Sequence, residues 1–209
     1  MAKRPVASYA RRGPTREPYD TVLIVCEGEK TEPNYFRKLR LSYRLSSANI
    51  EVTPAPGTDP KTIVAFAEKR LADYDKVFCV YDGDSDPSAF RQATQKIVTS
   101  AAGAAGRWQA VTSTPCFEVW ILLHFRYASA PFVGAGRISA GDRVVQEVRT
   151  HLPQYAKGDP TTYDQIESRM DAALVNGNRL EAHNTKTASG NPATRVHRLV
   201  DYLRKLKPD

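Results

Sequence analysis

At positions 21–33 the chain reads TVLIVCEGEKTEP, an apolar run followed by a cluster of acidic residues. The run is rich in β-branched residues and carries no charge, which is typical of a strand covered on both faces. A second run of this kind, at 77–81, leads into Asp82-Gly83-Asp84. Because buried strands alternate with helical patterns from residue 20 to residue 125, the sequence predicts an α/β fold with a mostly parallel sheet.

The pattern predicts where each element lies. We expect strands at 21–26, 50–53, 77–81 and 108–112, and helices at 33–45, 61–73, 86–105 and 116–125. Asp59-Pro60 supplies a cap and a first-turn proline for the second helix. The prediction is an open, mostly parallel four-stranded sheet flanked by helices over residues 20–127. A linker or loop follows at 128–141, and then a helical C-terminal region at 142–209 packs on the core, with helices at 142–151, 159–175, 179–186 and 193–206.

Composition excludes several classes of protein. Of the 209 residues, 41% are hydrophobic and 25% charged, as in an ordinary folded domain. No apolar stretch approaches the roughly 20 residues that cross a bilayer, and the basic N-terminus lacks the apolar segment of a secretory signal. The three cysteines are isolated, so they form neither a disulfide framework nor CxxC pairs. We therefore expect a cytoplasmic protein without a membrane partner.

The net charge of +7 is concentrated at the two ends of the chain. Residues 1–17 hold five basic residues against one acidic residue, and residues 195–209 hold five against two. The first 19 residues show no periodicity and are predicted to be a disordered arm. Basic segments attract polyanions, so we expect a nucleic-acid partner, although a solubilising role would also fit. The candidate contacts are Lys30, Arg11, Arg12, Arg195 and Arg198.

Acidic residues follow two of the predicted strands. Glu27 comes directly after the first strand, and Asp82 and Asp84 come after the third. The carboxyl ends of parallel strands lie at one edge of a sheet, where ligands of such folds bind. Carboxylates crowded together repel one another unless a cation neutralises them, and oxygen ligands favour Mg²⁺ or Mn²⁺. We therefore predict a metal site, with Glu32 and Glu118 as further candidate ligands.

Other readings of these motifs fit less well. Lys30 does not directly follow a glycine, so the segment is not a phosphate-binding P-loop. An EF-hand loop beginning at Asp82 would need glycine at Pro87 and glutamate at Ala93. A dehalogenase-type phosphatase would be expected to carry its DxD motif after the first strand, which here ends in Glu27. A purely structural role suits Glu29 and Asp86, as helix caps, better than it suits the acids that abut buried strands.

The predicted helix at 116–125 is apolar nearly all round, which indicates burial. Glu118 lies in its first turn and, once buried, needs a donor, a cation or a metal. His124 lies on a different face of the same helix, and we predict a core histidine rather than a ligand.

Four segments together resemble the RloB family. They are Cys26–Phe36, Tyr81–Asp84, Pro115–Trp120 with Leu122–Phe125, and Asn191–His197. The resemblance covers nearly the whole chain after the basic arm. RloB proteins are associated with bacterial defence against phage and are considered relatives of the Toprim superfamily, which includes topoisomerases, primases and nucleases. A Toprim core has a glutamate after its first strand and a DxD motif after its third.

The resemblance implies roles for individual residues. Glu27 would be the Toprim glutamate, a general acid/base or metal ligand, and Asp82 and Asp84 would be the DxD metal ligands. Gly83 departs from the family pattern, which reads more like Asp-Arg-Asp, so a cation able to contact phosphate is absent there. Tyr155 and Lys157 also resemble family positions, without an assigned role.

The expected function is a Mg²⁺- or Mn²⁺-dependent nuclease that acts in anti-phage defence by abortive infection. The alternative is a non-catalytic subunit that binds nucleic acid or an ATPase partner. The sequence leaves open whether the substrate is DNA or RNA, tRNA included, and whether the chain forms a homodimer.

Overall fold

The computed structural model describes residues 20–47, 49–83 and 86–206. The predicted basic arm with Arg11 and Arg12, and also Asp84, lie outside the described residues. The strands are β1 (Val22–Cys26), β2 (Ile50–Pro54), β3 (Lys76–Asp82), β4 (Trp108–Thr114) and β5 (Ala193–Thr194). They form one sheet in the order β2-β1-β3-β4-β5, in which the first four strands are parallel and β5 is antiparallel to β4.

Helices connect the parallel strands and continue to the end of the described chain. They are α1 (Thr31–Ser42), α2 (Pro60–Glu68), α3 (Pro87–Thr99), α4 (Ala101–Ala104), α5 (Glu118–Leu123), α6 (Ala140–His151), α7 (Thr162–Ile166), α8 (Met170–Thr187) and α9 (Val196–Lys205). Short 3-10 turns lie at Leu71–Asp73 and Glu167–Arg169. Within the described part of the chain, none of these helices has the length and apolar character needed to cross a bilayer.

Alternate residues of the sheet enter two separate hydrophobic cores. Leu23 and Val25 of β1 join the core beneath α2 and α3. Val22 and Ile24 face the opposite side and join a larger core built from α1, α5, α6, α8 and α9. The C-terminal helices therefore form much of the layer that covers one face of the sheet, and both faces of β1 are buried, as its apolar run predicts.

Two of the helix starts follow from local sequence. The Asp59 carboxylate accepts the backbone N–H groups of Lys61 and Thr62, and Pro60 occupies the first turn of α2. Asp86 caps α3 in the same way, with Pro87 in the first turn. These caps confirm the predicted starts, because an aspartate before a first-turn proline satisfies the free N–H groups of a helix.

The C-terminal region differs from its prediction in two places. A fifth strand replaces the start of the helix expected at 193, because residues 193 and 194 pair with Ser113 and Thr114 of β4. The helices expected at 159–175 and 179–186 are α7, a 3-10 turn and the single long helix α8. The break expected between residues 175 and 179 is absent, because α8 continues through Gly177. A side chain there would lie 2.7 Å from Cβ of His197, so close helix packing requires the glycine.

Candidate functional site

The carboxyl ends of β1 and β3 bring two predicted site residues into contact. Glu27 follows β1, and its Oε2 accepts the backbone N–H of Asp82, the last residue of β3, at 2.7 Å. The strands are neighbours in register, so residues 55 positions apart in the sequence meet at one edge of the sheet. On its other side, the Asp82 carboxylate accepts the backbone N–H of Phe117 just before α5.

Two further carboxylates lie close to this pair. Glu32, in the first turn of α1, is only 6% exposed, and its carboxylate folds back over Gly28. A side-chain carbon at position 28 would lie 2.4 Å from Oε2 of Glu32, so a larger residue there would displace the Glu32 carboxylate. Glu118 begins α5 and is 2% exposed. We refer to Glu27, Glu32, Asp82 and Glu118 as the carboxylate cluster.

A loop between α6 and α7 supplies partners for Glu118. The Tyr155 hydroxyl donates to Oε1 of Glu118 at 2.9 Å, and Nζ of Lys157 lies 3.5 Å from Oε2. The loop is held in place because Nδ2 of Asn34, on α1, donates to the Gly158 carbonyl at 3.0 Å. Glu118 therefore has the donor and the cation that its burial requires.

The charges of the carboxylate cluster are not balanced within the described residues. Burial raises the pKa of Asp82 well above its ordinary value, and the negative charges of Glu32, Glu27 and Glu118 raise it further. Burial also raises the pKa of Glu32 to about 7, with Glu118 and Glu27 adding to the effect and Lys157 opposing it. A site that crowds carboxylates at this cost in stability is suited to binding a cation.

The donor set fits a hard divalent cation such as Mg²⁺ or Mn²⁺, because every candidate ligand is a carboxylate oxygen. Glu27 and Asp82 are the residues that would hold it, and Asp84 lies outside the described residues. Among the residues that are described, no three His, Cys, Asp or Glu side chains are already arranged around a single ion position.

The other predicted contacts fall into two groups. Lys30 lies at the start of α1, where its side chain packs against Gly158, so it borders the same loop as Lys157. Arg195 and Arg198 lie instead at the start of α9, beside β4 and β5. Arg198 pairs with Glu181 at 2.8 Å. The structure therefore brings Lys30 towards the carboxylate cluster and gives the two arginines no contact with it.

The close packing around Gly83 explains why the acidic motif has glycine at its centre. A side-chain carbon there would lie 2.6 Å from Oγ1 of Thr114 and 3.2 Å from the ring of Phe90. An arginine, as in the family pattern, would need both neighbours to move. Position 83 therefore provides no positive charge. Lys157, from a different part of the chain, places a positive charge beside Glu118 instead.

The two buried histidines lie in the core and not in the carboxylate cluster. Nδ1 of His124 donates to the Trp120 carbonyl at 3.0 Å, and burial lowers the pKa of this histidine to about 4. The prediction of a core histidine is therefore confirmed. His197 lies 3.1 Å from Glu181, away from the sheet edge that holds the acids.

Comparison with known proteins identifies the family. The family model described as RloB-like protein matches residues 22–203. The match covers most of the chain, so this protein belongs to the RloB-like protein family, and its α/β architecture is consistent with a Toprim-like fold. No curated protein and no solved structure matches the chain.

Proposed function

We propose that this protein is a Mg²⁺- or Mn²⁺-dependent nuclease that acts in bacterial defence against phage. The observation that supports a hydrolytic site is the carboxylate cluster, in which four acidic side chains lie close together and Lys157 pairs with one of them, Glu118. The proposed defence role rests on membership of the RloB-like family.

In this proposal Glu27, Asp82 and Asp84 hold the cation, and Glu32 and Glu118 are candidates for a second ion. When bound, a divalent cation polarises the scissile phosphate and lowers the pKa of a bound water. Glu27 is the general acid or base, and its orientation is set by the hydrogen bond from the Asp82 backbone. Tyr155 is a positioning residue, because its hydroxyl fixes the Glu118 carboxylate.

Basic residues would hold the substrate through its phosphates. Lys157 is half exposed although it pairs with Glu118, so its ammonium group can also contact a phosphate at the mouth of the site. Lys30 borders the same loop. Phosphate contacts of this kind position a nucleic acid without reading its sequence. The basic arm would then contact more distant parts of the strand.

The test is a cleavage assay with the full chain. Plasmid DNA, single-stranded DNA and tRNA are each incubated with Mg²⁺, Mn²⁺ or a chelator. We expect cleavage of at least one substrate that requires the divalent ion and is lost in the double variant Asp82→Ala/Asp84→Ala. The matched control is Glu51→Gln, which removes a carboxylate paired with Arg70 at the other end of the sheet.

Two outcomes would contradict the proposal. Cleavage that persists in the double variant would show that these aspartates are not the ligands. Salt-dependent binding of nucleic acid, with no hydrolysis under any divalent ion, would favour the alternative of a binding subunit that relies on a partner such as an ATPase.

A further inference from the structure

One edge of the sheet is open. The strand β5 pairs only with Ser113 and Thr114, at the end of β4. Residues 108–111 of the same strand therefore have no neighbouring strand on that side among the described residues. An unpaired strand edge presents a row of N–H and C=O groups to which another chain can pair.

The backbone groups that face this edge can be assigned from the ladder. The carbonyl of Ser113 faces β3. Because alternate residues of a strand point their backbone groups to opposite sides, those of Trp108, Ala110 and Thr112 point away from β3. Thr112 agrees with this assignment, since its carbonyl accepts the backbone N–H of Arg195 at 2.9 Å. The pairing between β4 and β5 ends at Thr112. The backbone N–H and C=O groups of Trp108 and Ala110 face a groove.

The groove runs along β4 and has a volume of about 280 Å³. The helices α3 and α4 form one wall, and the start of α9 forms the other. The lining includes Ile97, Val98, Gly103, Arg195, Arg198 and Leu199. About half of this surface is apolar, and Val98 is 57% exposed. The groove therefore combines an unpaired strand edge with both apolar and basic side chains, which suits the main chain and alternate side chains of an extended peptide.

The opposite edge of the sheet is protected. The carbonyls of Ile50 and Val52 in β2 face outward, and both accept hydrogen bonds from arginines of α1. Arg40 donates to the Ile50 carbonyl at 2.9 Å, and Arg37 donates to the Val52 carbonyl at 3.3 Å. Charged side chains that occupy an edge prevent it from pairing with other chains. The fold thus blocks one edge and leaves half of the other open.

The charge of the groove points to an acidic occupant. Arg195 is exposed, and its guanidinium has no ion pair with any described residue. Arg198 lies beside it on the same wall and has Glu181 as its partner. A second copy pairing through β4 in antiparallel fashion would bring Arg107 of one copy towards Arg195 of the other, and like charges would oppose it. A nucleic acid would satisfy Arg195 but has no peptide groups that could pair with the free strand edge.

We propose that this groove, which we call the β4 groove, binds an extended acidic segment of a partner protein by strand addition along residues 108–111. The bound segment continues the line of β5, pairs with the outward groups of Trp108 and Ala110, and places a carboxylate near Arg195. The proposal does not depend on nuclease activity.

The probe is a fluorescein-labelled hexapeptide of alternating valine and glutamate, with binding followed by fluorescence anisotropy. The same peptide with N-methyl groups on alternate peptide bonds keeps its charge but cannot form the ladder. We expect it to bind at least about tenfold more weakly, because two hydrogen bonds are lost. The Arg195→Glu variant should also weaken binding of the unmodified peptide.

Matched variants test the location. Val98→Asp puts a negative charge on the groove wall, and Val175→Asp makes the same change at a residue of α8 that is 66% exposed. We expect only Val98→Asp to weaken peptide binding, by about tenfold, with both variants melting at the wild-type temperature by circular dichroism.

Several results would overturn the proposal. The N-methylated peptide binding as tightly as the unmodified one would show that charge alone attracts it. Equal losses in Val98→Asp and Val175→Asp would place the binding elsewhere. A dimer that is dispersed by Val98→Asp, with no binding of the peptide, would identify the occupant as a second copy. Displacement of the peptide by a single-stranded oligonucleotide would identify a nucleic-acid channel.

Discussion

The two ends of the sheet differ in how the charges of their carboxylates are balanced. At the amino end, Glu51 of β2 forms two hydrogen bonds with Arg70, at 2.7 and 2.9 Å, and a third with the Tyr74 hydroxyl at 2.5 Å. At the carboxyl end, Glu118 also has a tyrosine and a cation, but it lies close to the other acids of the carboxylate cluster, whose charges add to its own. The same residue types thus form a balanced group at one end and an unbalanced group at the other.

The difference in charge balance separates a structural site from a candidate functional site. Hydrogen bonds from Arg70 lower the pKa of Glu51, so its ionised form stabilises the fold. Burial and neighbouring charges raise the pKa of Asp82 and of Glu32, so their ionised forms oppose folding. Such a cluster lowers the stability of the fold, and side chains that do so are common at functional sites. The carboxylate cluster is therefore a better candidate for a catalytic site than the group around Glu51.

The largest effect is expected for Asp82→Asn. The change keeps the shape of the side chain and removes one of the crowded charges, so cleavage should fall by about a hundredfold to a thousandfold while the melting temperature stays equal or rises. Activity is measured with the substrate found in the cleavage assay, and melting by circular dichroism. If Asp82→Asn kept full activity and melted at a lower temperature, Asp82 would have a structural role. The two ends of the sheet would then not differ in the way described above.

The second largest effect on activity is expected for Lys157→Met, a substitution that keeps the approximate length of the side chain and removes its charge. Loss of the cation that pairs with Glu118 in the carboxylate cluster should reduce kcat/KM by about tenfold to a hundredfold. The control is Lys38→Met, because Lys38 forms an exposed pair with Asp164 at 2.7 Å. Equal activity of the two variants would show that Lys157 contributes neither to the chemistry of the site nor to substrate binding.

The sequence predicted the parts of the fold that depend on local pattern. The buried runs of β1 and β3 have an unambiguous composition, and their predicted bounds agree with the structure within one residue at each end. The two residues of β5 carry no such pattern, because only pairing with β4 makes them a strand. The continuity of α8 through residues 176–178 was missed for a related reason, since the small size of Gly177 allows close packing against His197, a contact between distant parts of the chain.

The candidate site was also predictable only in the part that depends on local sequence. Glu27 and Asp82 directly follow buried strands, so the rule for parallel sheets places them together. Tyr155 and Lys157 lie on a loop between helices, where no periodicity exists. Their position depends on a hydrogen bond between residues 34 and 158, which the sequence alone does not reveal.

A smaller effect is expected from divalent ions on stability. Because a cation would relieve repulsion within the carboxylate cluster, Mg²⁺ or Mn²⁺ at tenfold its dissociation constant should stabilise the fold by about 1.4 kcal/mol. This corresponds to a rise in melting temperature of about 3 to 5 °C. The Asp82→Asn variant should lose most of the rise. An equal rise with potassium chloride at matched ionic strength would attribute the effect to general screening.

The smallest effect concerns the balanced end of the sheet. Glu51→Gln should lower the free energy of unfolding at pH 7 by about 0.5 to 1 kcal/mol, because the pair is partly exposed and screened by water. The pKa of Glu51 is lower in the folded state than in the unfolded chain, so its contribution is present above the unfolded pKa. As the pH falls through the folded pKa, the difference between wild type and variant should disappear. Urea unfolding at pH 7, 5 and 3 measures this difference in the free energy of unfolding. The nuclease activity of Glu51→Gln at pH 7 should equal that of the wild type. A difference that stays constant down to pH 3 would show that the charge of Glu51 is not what stabilises this end of the sheet.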